Sequence, residues 1–247
     1  VGFTHGIDVS CYDEKVDWPL LHAGGVDFAI VKLTQGDYRH DPLAESHLRA
    51  AAGAGLLTGI YHWCDPARDD TPQIDYLLAR ARGLPFRLVC LDVEQYWSNW
   101  ADWPKPRKKK KSANLSPERI SRNARVMAET LSDRLPAGMP VVIYTRTSFI
   151  TEYARPMLSW LPQYPLWLAQ YPLLRGTPPS IKWSDLNGLL ATSFRPTLPA
   201  GCPAFTFWQW SGDRFRLPGM SSRPDLNVFA GSLADLQRFA PAVVEEA

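Results

Sequence analysis

Two carboxylates close an apolar run in the stretch RLVCLDVEQYW, residues 87–97. Arg87 to Leu91 reads as a buried strand, and Asp92 and Glu94 follow with one residue between them. Burying an unpaired charge is costly, so acids at a buried strand end need a reason. If the strand persists, both side chains point to one side, with Cα atoms ~6.5–7 Å apart, and Val93 faces the packing. Two acids so close in a low-dielectric pocket cannot both ionise easily, and one pKa rises. That division into a proton donor and a charged partner is what general acid catalysis of glycosides requires. D-x-E is also a short, common pattern. The same pair could cap a loop or bind an arginine.

Two further acids sit at strand boundaries. Asp8 closes GIDVS, and Asp225 opens or precedes DLNVF. Together the four carboxylates could work on a substrate or hold Mg²⁺ or Ca²⁺. Zinc is disfavoured, because the histidines lack a ligand pair at helical spacing: His40 and His47 are seven apart. His62 follows Tyr61 at a strand end, where a packing or hydrogen-bonded role is expected over contact with substrate. His22 and His47 fall in helical segments, as surface or packing residues. Cys11, Cys64, Cys90 and Cys202 form no CxxC pair and no zinc pattern, and buried free thiols are expected.

The elements that must position these acids alternate along the chain. Strands are predicted at 6–10, 26–33, 56–63, 87–92, 139–145, 165–171 and 204–210, with a weaker one at 225–229. Helices are predicted at 43–55, 72–83, 116–135 and 232–239. In the third, Ser116-Pro117-Glu118 supplies an N-cap, a proline at the first helical position and an acid in the first turn. Ile120, Ala124, Met127, Leu131 and Leu135 then form one apolar stripe. Near-continuous apolar strands between helices imply a largely parallel sheet covered by helices. The strand number favours a closed α/β barrel, whose chemistry collects at the C-terminal ends of the strands. Two segments break the alternation: the basic loop 104–117 and the long Pro/Gly/Ser-rich connection 172–203. Both read as loops grown on one scaffold, so 1–247 is expected to be a single catalytic domain.

Composition narrows the partners. The 247 residues carry a net charge of only +2, which argues against nucleic acid. No apolar run approaches the ~18 residues of a membrane span, and no signal peptide is read at the N-terminus. Ten tryptophans suit sugar faces, although most are expected to fill the core.

The ordered series GIDVS, FAIVKLTQG, GIYHW, LDVE, VVIYT, LWLAQY, FWQWSG and PDLNVFAG resembles glycoside hydrolase family 25, the Chalaropsis-type lysozymes, from Gly6 to about Gly231. The resemblance implies an irregular (β/α) barrel, TIM-barrel-like with fewer regular helices. It implies a muramidase that cuts the β-1,4 bond between N-acetylmuramic acid and N-acetylglucosamine in peptidoglycan, with no cofactor or metal. Glu94 would be the general acid/base and Asp92 would assist the substrate acetamide. Asp8 and Asp225 would complete the acidic floor. Tyr61 would bond near the acetamide, and Trp63, Gln170, Tyr171 and Trp208 would line the sugar groove. A monomer acting outside the cell or at the wall is expected. The basic run Lys105–Lys111 departs from the family pattern and reads as a solvated loop or as an attraction to anionic wall polymer. Family 18 chitinases share a D-x-E, but carry another Asp two residues earlier, where this chain has Cys90. A non-catalytic peptidoglycan-binding module is the alternative from another class.

Overall fold

The inner and outer faces of each strand are set by parity in the sequence. In FAIVKLTQ, Phe28 and Ile30 pack with one buried cluster while Ala29, Val31 and Leu33 pack with another. Side chains alternate across a strand, so this period of two sorts residues between a barrel interior and an outer layer beneath helices. The structure is a computed structural model that describes residues 2–99, 114–172 and 195–242.

In chain order the strands are β1 (Thr4–Val9), β2 (Phe28–Gln35), β3 (Arg39–His40), β4 (Leu57–Trp63), β5 (Val89–Asp92), β6 (Val141–Thr145), β7 (Leu166–Ala169), β8 (Phe207–Ser211) and β9 (Asp225–Phe229). Their order in the sheet is β1-β9-β8-β7-β6-β5-β4-β2-β3, and β1 also pairs with β2. That last pairing closes an eight-stranded barrel, with β3 a short antiparallel addition outside it. Neighbours pair in parallel except around β9, which runs antiparallel to both β1 and β8. No helix forms across 212–224, between β8 and β9. A strand that returns without a helical crossover can pair antiparallel.

The helices are α1 (Trp18–Ala23), α2 (Ala44–Gly53), α3 (Asp70–Ala81), α4 (Pro117–Arg134), α5 (Thr147–Tyr153) and α6 (Leu233–Phe239). In α4, Ser116 Oγ accepts the Arg119 N–H and Pro117 occupies the first turn, as its sequence predicts. Its buried stripe includes Ile120, Ala124, Met127 and Leu131. The short helices α1 and α5 lack a long periodic pattern and are absent from the sequence expectation. The irregular barrel with few regular helices is present. The run Lys105–Lys111 and most of the 172–203 connection lie outside the described residues.

Helix α6 closes one end of the barrel. Its Leu236 and the Ala240 that follows it are buried against the inner cluster, and Phe239 lies 5.9 Å from Phe207 and 5.8 Å from Phe229 between ring centres. Inside, Gly6 gives space to Phe28: a Cβ there would stand 2.4 Å from the ring. Among the described residues no helix closes the other end of the barrel, and it carries the acids.

Most of the described tryptophans are buried. Trp18, Trp97, Trp160, Trp167, Trp208 and Trp210 are each at most 3% exposed. Cys64, Cys90 and Cys202 are buried free thiols, and Cys11 is a free, half-buried one. Among the described residues no helix is long and apolar enough to cross a membrane.

Candidate active site

Parity also builds the site. Above the apolar inner layer, the next inward positions are Asp8 on β1, Lys32 on β2, Tyr61 and Trp63 on β4, and Asp92 on β5. Tyr144, Trp167, Gln209, Asn227 and Asp225 complete the circuit. A cavity of about 110 Å³ opens there, bounded by Asp8, Asp92, Glu94 and Asp225 with Tyr61, Trp63, Tyr144, Trp167 and Gln209. A wider cavity of about 500 Å³ adjoins it, sharing Asp8, Tyr61, Trp63 and Asp225. The four sequence-selected acids therefore meet at one mouth. Asp225 reaches it from the N-terminal end of its strand, because β9 is antiparallel and places Asp225 in register with Asp8.

Asp92 ends β5, and Glu94 continues its parity into the same cavity, while Val93 turns to the outer core. Asp92 is buried, and its Oδ1 has no hydrogen-bond partner. Burial, then the neighbouring Glu94, hold its carboxyl well above the usual range, against the pull of Lys32. Burial also raises Glu94, opposed by Arg146, whose Nη2 stands 3.4 Å from Glu94 Oε2. Asp8 is pushed up to about 7, chiefly by burial, although its Oδ2 accepts from Asn227 Nδ2 at 2.7 Å and Gln209 Nε2 at 2.8 Å. Asp225 is likewise raised by burial and by Asp8. Four acids in one low-dielectric cavity cannot all ionise, so part of the set stays protonated near neutrality.

The aromatic wall is held from behind. Trp63 Nε1 donates to Gln95 Oε1 at 2.9 Å, and Gln95 Nε2 donates to Asp65 Oδ1 at 2.7 Å. Lys32 Nζ lies 5.0 Å from the Trp63 ring centre and 5.8 Å from that of Tyr61. Trp167 meets Tyr61 and Tyr144 edge-on, and its Nε1 donates to Asn227 Oδ1 at 2.8 Å.

Three of the expected groove residues stand apart from the cavity lining. Trp208 faces the outer core, 1% exposed, with Nε1 donating to the Gln170 carbonyl at 2.8 Å. It sits one residue from Gln209, and parity sends it outward. Gln170 does not bound either cavity at the mouth; its Oε1 accepts the Thr197 N–H. Tyr171 stands at the rim, 44% exposed, with its hydroxyl on Gln209 Oε1 at 2.7 Å. The residues missed are Lys32, Tyr144, Arg146, Trp167, Gln209 and Asn227. Counting by twos from Phe207 and from Asp225 finds Gln209 and Asn227.

His62 is buried away from the cavity, paired with Thr34 Oγ1 at 2.8 Å and Gln73 Oε1 at 3.3 Å, with its pKa pushed down to about 4 by burial. This is the packing role expected. His47 packs edge-on against Trp18. Cys90, where a chitinase-type pattern has an acid, is fully buried in the inner layer. No group of three or more His, Cys, Asp and Glu among the described residues is arranged to hold a metal ion.

Comparison with known proteins follows the same lines. The family model described as "Glycosyl hydrolases family 25" matches residues 7–220. Lysozyme M1 of Streptomyces globisporus is 29% identical, over 96% of this chain and 71% of its own length. An N,O-diacetylmuramidase of Arthroderma benhamiae is 27% identical, over 97% of this chain and 87% of its own. Among solved structures, the bacterial lysozyme from Streptomyces coelicolor superposes with a TM-score of 0.75 at 25% identity, covering 96% of each chain.

Proposed function

Because this chain belongs to glycosyl hydrolases family 25 and is a glycoside hydrolase, we propose that it is a muramidase. The bond cut is the β-1,4 link between N-acetylmuramic acid and N-acetylglucosamine in peptidoglycan. The observation that carries the reading is the shared cavity of Asp92 and Glu94, with both carboxyls raised by burial. The lysozyme and muramidase names of its relatives supply the substrate class.

Glu94 is the general acid/base. It is the less buried of the pair, and Arg146 beside it can stabilise the carboxylate once its proton has left. Asp92 is deeper and bounds the same cavity as Glu94, which suits a partner that brings its own N–H. An acetamide is such a group. Its oxygen attacks the anomeric carbon as Glu94 protonates the leaving oxygen, and Asp92 steadies the resulting oxazolinium ion. Water, deprotonated by Glu94, then opens that ring with net retention. Asp8 and Asp225 form the floor, Tyr61 bonds beside the acetamide, and Trp63 forms an aromatic wall. The action is at the bacterial cell wall, reached by secretion or by a phage or effector route. Anionic wall polymer at Lys105–Lys111 and a monomeric state are part of the same proposal.

The test is digestion of purified peptidoglycan by wild type and Glu94→Gln, followed by borohydride reduction and mass spectrometry. New N-acetylmuramitol ends, lost in the variant, are expected. N-acetylglucosaminitol ends would overturn the bond assignment. NMR of the first-released anomer tests retention, and an initial α-product would rule it out.

A further inference from the structure

Gln209 has its whole carboxamide engaged. Its Oε1 accepts from the Tyr144 hydroxyl at 2.8 Å and from the Tyr171 hydroxyl at 2.7 Å. Its Nε2 donates to Asp8 Oδ2 at 2.8 Å and to Asp225 Oδ2 at 3.2 Å. A carboxamide offers two lone pairs and two N–H protons, so four partners exhaust it. The orientation is the one that gives both N–H protons to carboxyl oxygens. Turned over, the carbonyl would face two carboxyl groups that share at most a few protons, and an ionised one would meet it with lone pairs only. Gly212 makes room for this arrangement, since a Cβ there would stand 2.9 Å from Tyr171 Oη and 3.1 Å from Asp225 Oδ1.

We propose that Gln209 is a positioning residue of the active site, a neutral clip that fixes Asp8 and Asp225 together and sets the donor direction of Tyr144. Each tyrosine hydroxyl has one proton. With that proton on Gln209, Tyr144 presents only lone pairs to the cavity it lines. A ligand group meeting it must bring a donor, an amide N–H or a sugar hydroxyl. The clip also has to be neutral. The charged groups around it are Asp8 and Asp13 from β1 and its following loop, Lys32 from β2, Asp92 from β5 and Glu94 just after it. Arg146 follows β6, and Asp213 and Asp225 belong to the loop before β9 and to β9 itself. Acids outnumber cations there, so another negative charge would be unfavourable.

The proposal deepens the muramidase reading but can be tested apart from it, with Gln209→Glu. When neutral, the introduced carboxyl keeps a carbonyl for the tyrosines and one O–H for an aspartate. When ionised it has no proton to donate. Melting temperature, measured without substrate, should match wild type near about pH 4 and fall progressively below it towards about pH 8. The sign follows from a carboxyl whose proton is held more tightly folded than unfolded. Over the same range kcat relative to wild type should fall by about tenfold or more while KM changes little. A melting curve parallel to wild type at every pH overturns the clip, as does a variant unfolded at every pH. A widening melting difference with an unchanged kcat ratio overturns its role in positioning for catalysis. Failure of the muramidase reading would show instead as wild type making no new N-acetylmuramitol ends.

Discussion

The barrel interior has two halves built on the same strands. The closed half is Phe28, Leu57, Leu88, Phe207 and Phe229, sealed by α6. The open half, at the opposite end of the barrel, holds Asp8, Tyr61, Asp92, Gln209 and Asp225. Gln209 lies two positions after Phe207, and Asp225 lies four positions before Phe229. The strand register shifts in the open half, between Lys32 and Thr34 and between Gln209 and Ser211. The closed half removes apolar surface from water, which stabilises the fold. The open half gathers buried carboxyls whose ionisation is disfavoured, which costs stability and leaves protons available for transfer. One half holds the barrel shut so that the other can hold acids together.

Substitutions in each half should separate these roles. The largest effect is expected from Glu94→Gln, a loss of about 10²–10⁴-fold in kcat on peptidoglycan with the melting temperature unchanged or raised. A variant that keeps wild-type activity would break the assignment of chemistry to the open half. Phe207→Ala should cost about 3–5 kcal/mol in denaturant unfolding, because the site is enclosed by Phe28, Phe229 and Phe239 and cannot collapse freely. Activity per folded molecule should survive it. Loss of activity without loss of stability would show that the two halves are not separate.

A smaller effect concerns pH. The Asp8 carboxyl is raised from 3.8 to about 7 in the fold. Between those values the folded protein holds a proton that the unfolded chain has released, so stability falls as pH rises across that window. Asp8→Asn should flatten that decline in urea titrations at stepped pH. An unchanged slope would place the pH dependence elsewhere in the acid set. The smallest effect is expected outside both halves. Arg125 and Glu129 pair at 2.8 Å on exposed α4, and Arg125→Ala should change stability by less than about 0.5 kcal/mol. A larger change would give the outer helix surface a part in the barrel's stability.

Much of this was legible as local pattern. Strand parity placed Asp92 and Glu94 on one side and Val93 on the other, because alternation is a property of the extended chain itself. The Ser116-Pro117 start of α4 was legible for the same reason, since a cap needs only residues within one turn. Trp208 was expected in the groove from the family resemblance, whereas its parity opposes that of Gln209 and turns it to the outer core. The short helices α1 and α5 carried too few residues to show a period.

The sequence by itself determined which residues could share a face, where a buried run turns acidic, and the family its ordered motifs resemble. Only the tertiary structure decided that β9 runs antiparallel, which brings Asp225 beside Asp8 from the opposite end of a strand. It alone joined Gln209 to residues from four other segments. The physical reason is range. Side-chain alternation is fixed by neighbouring residues, whereas strand direction and barrel closure depend on contacts between residues more than two hundred positions apart.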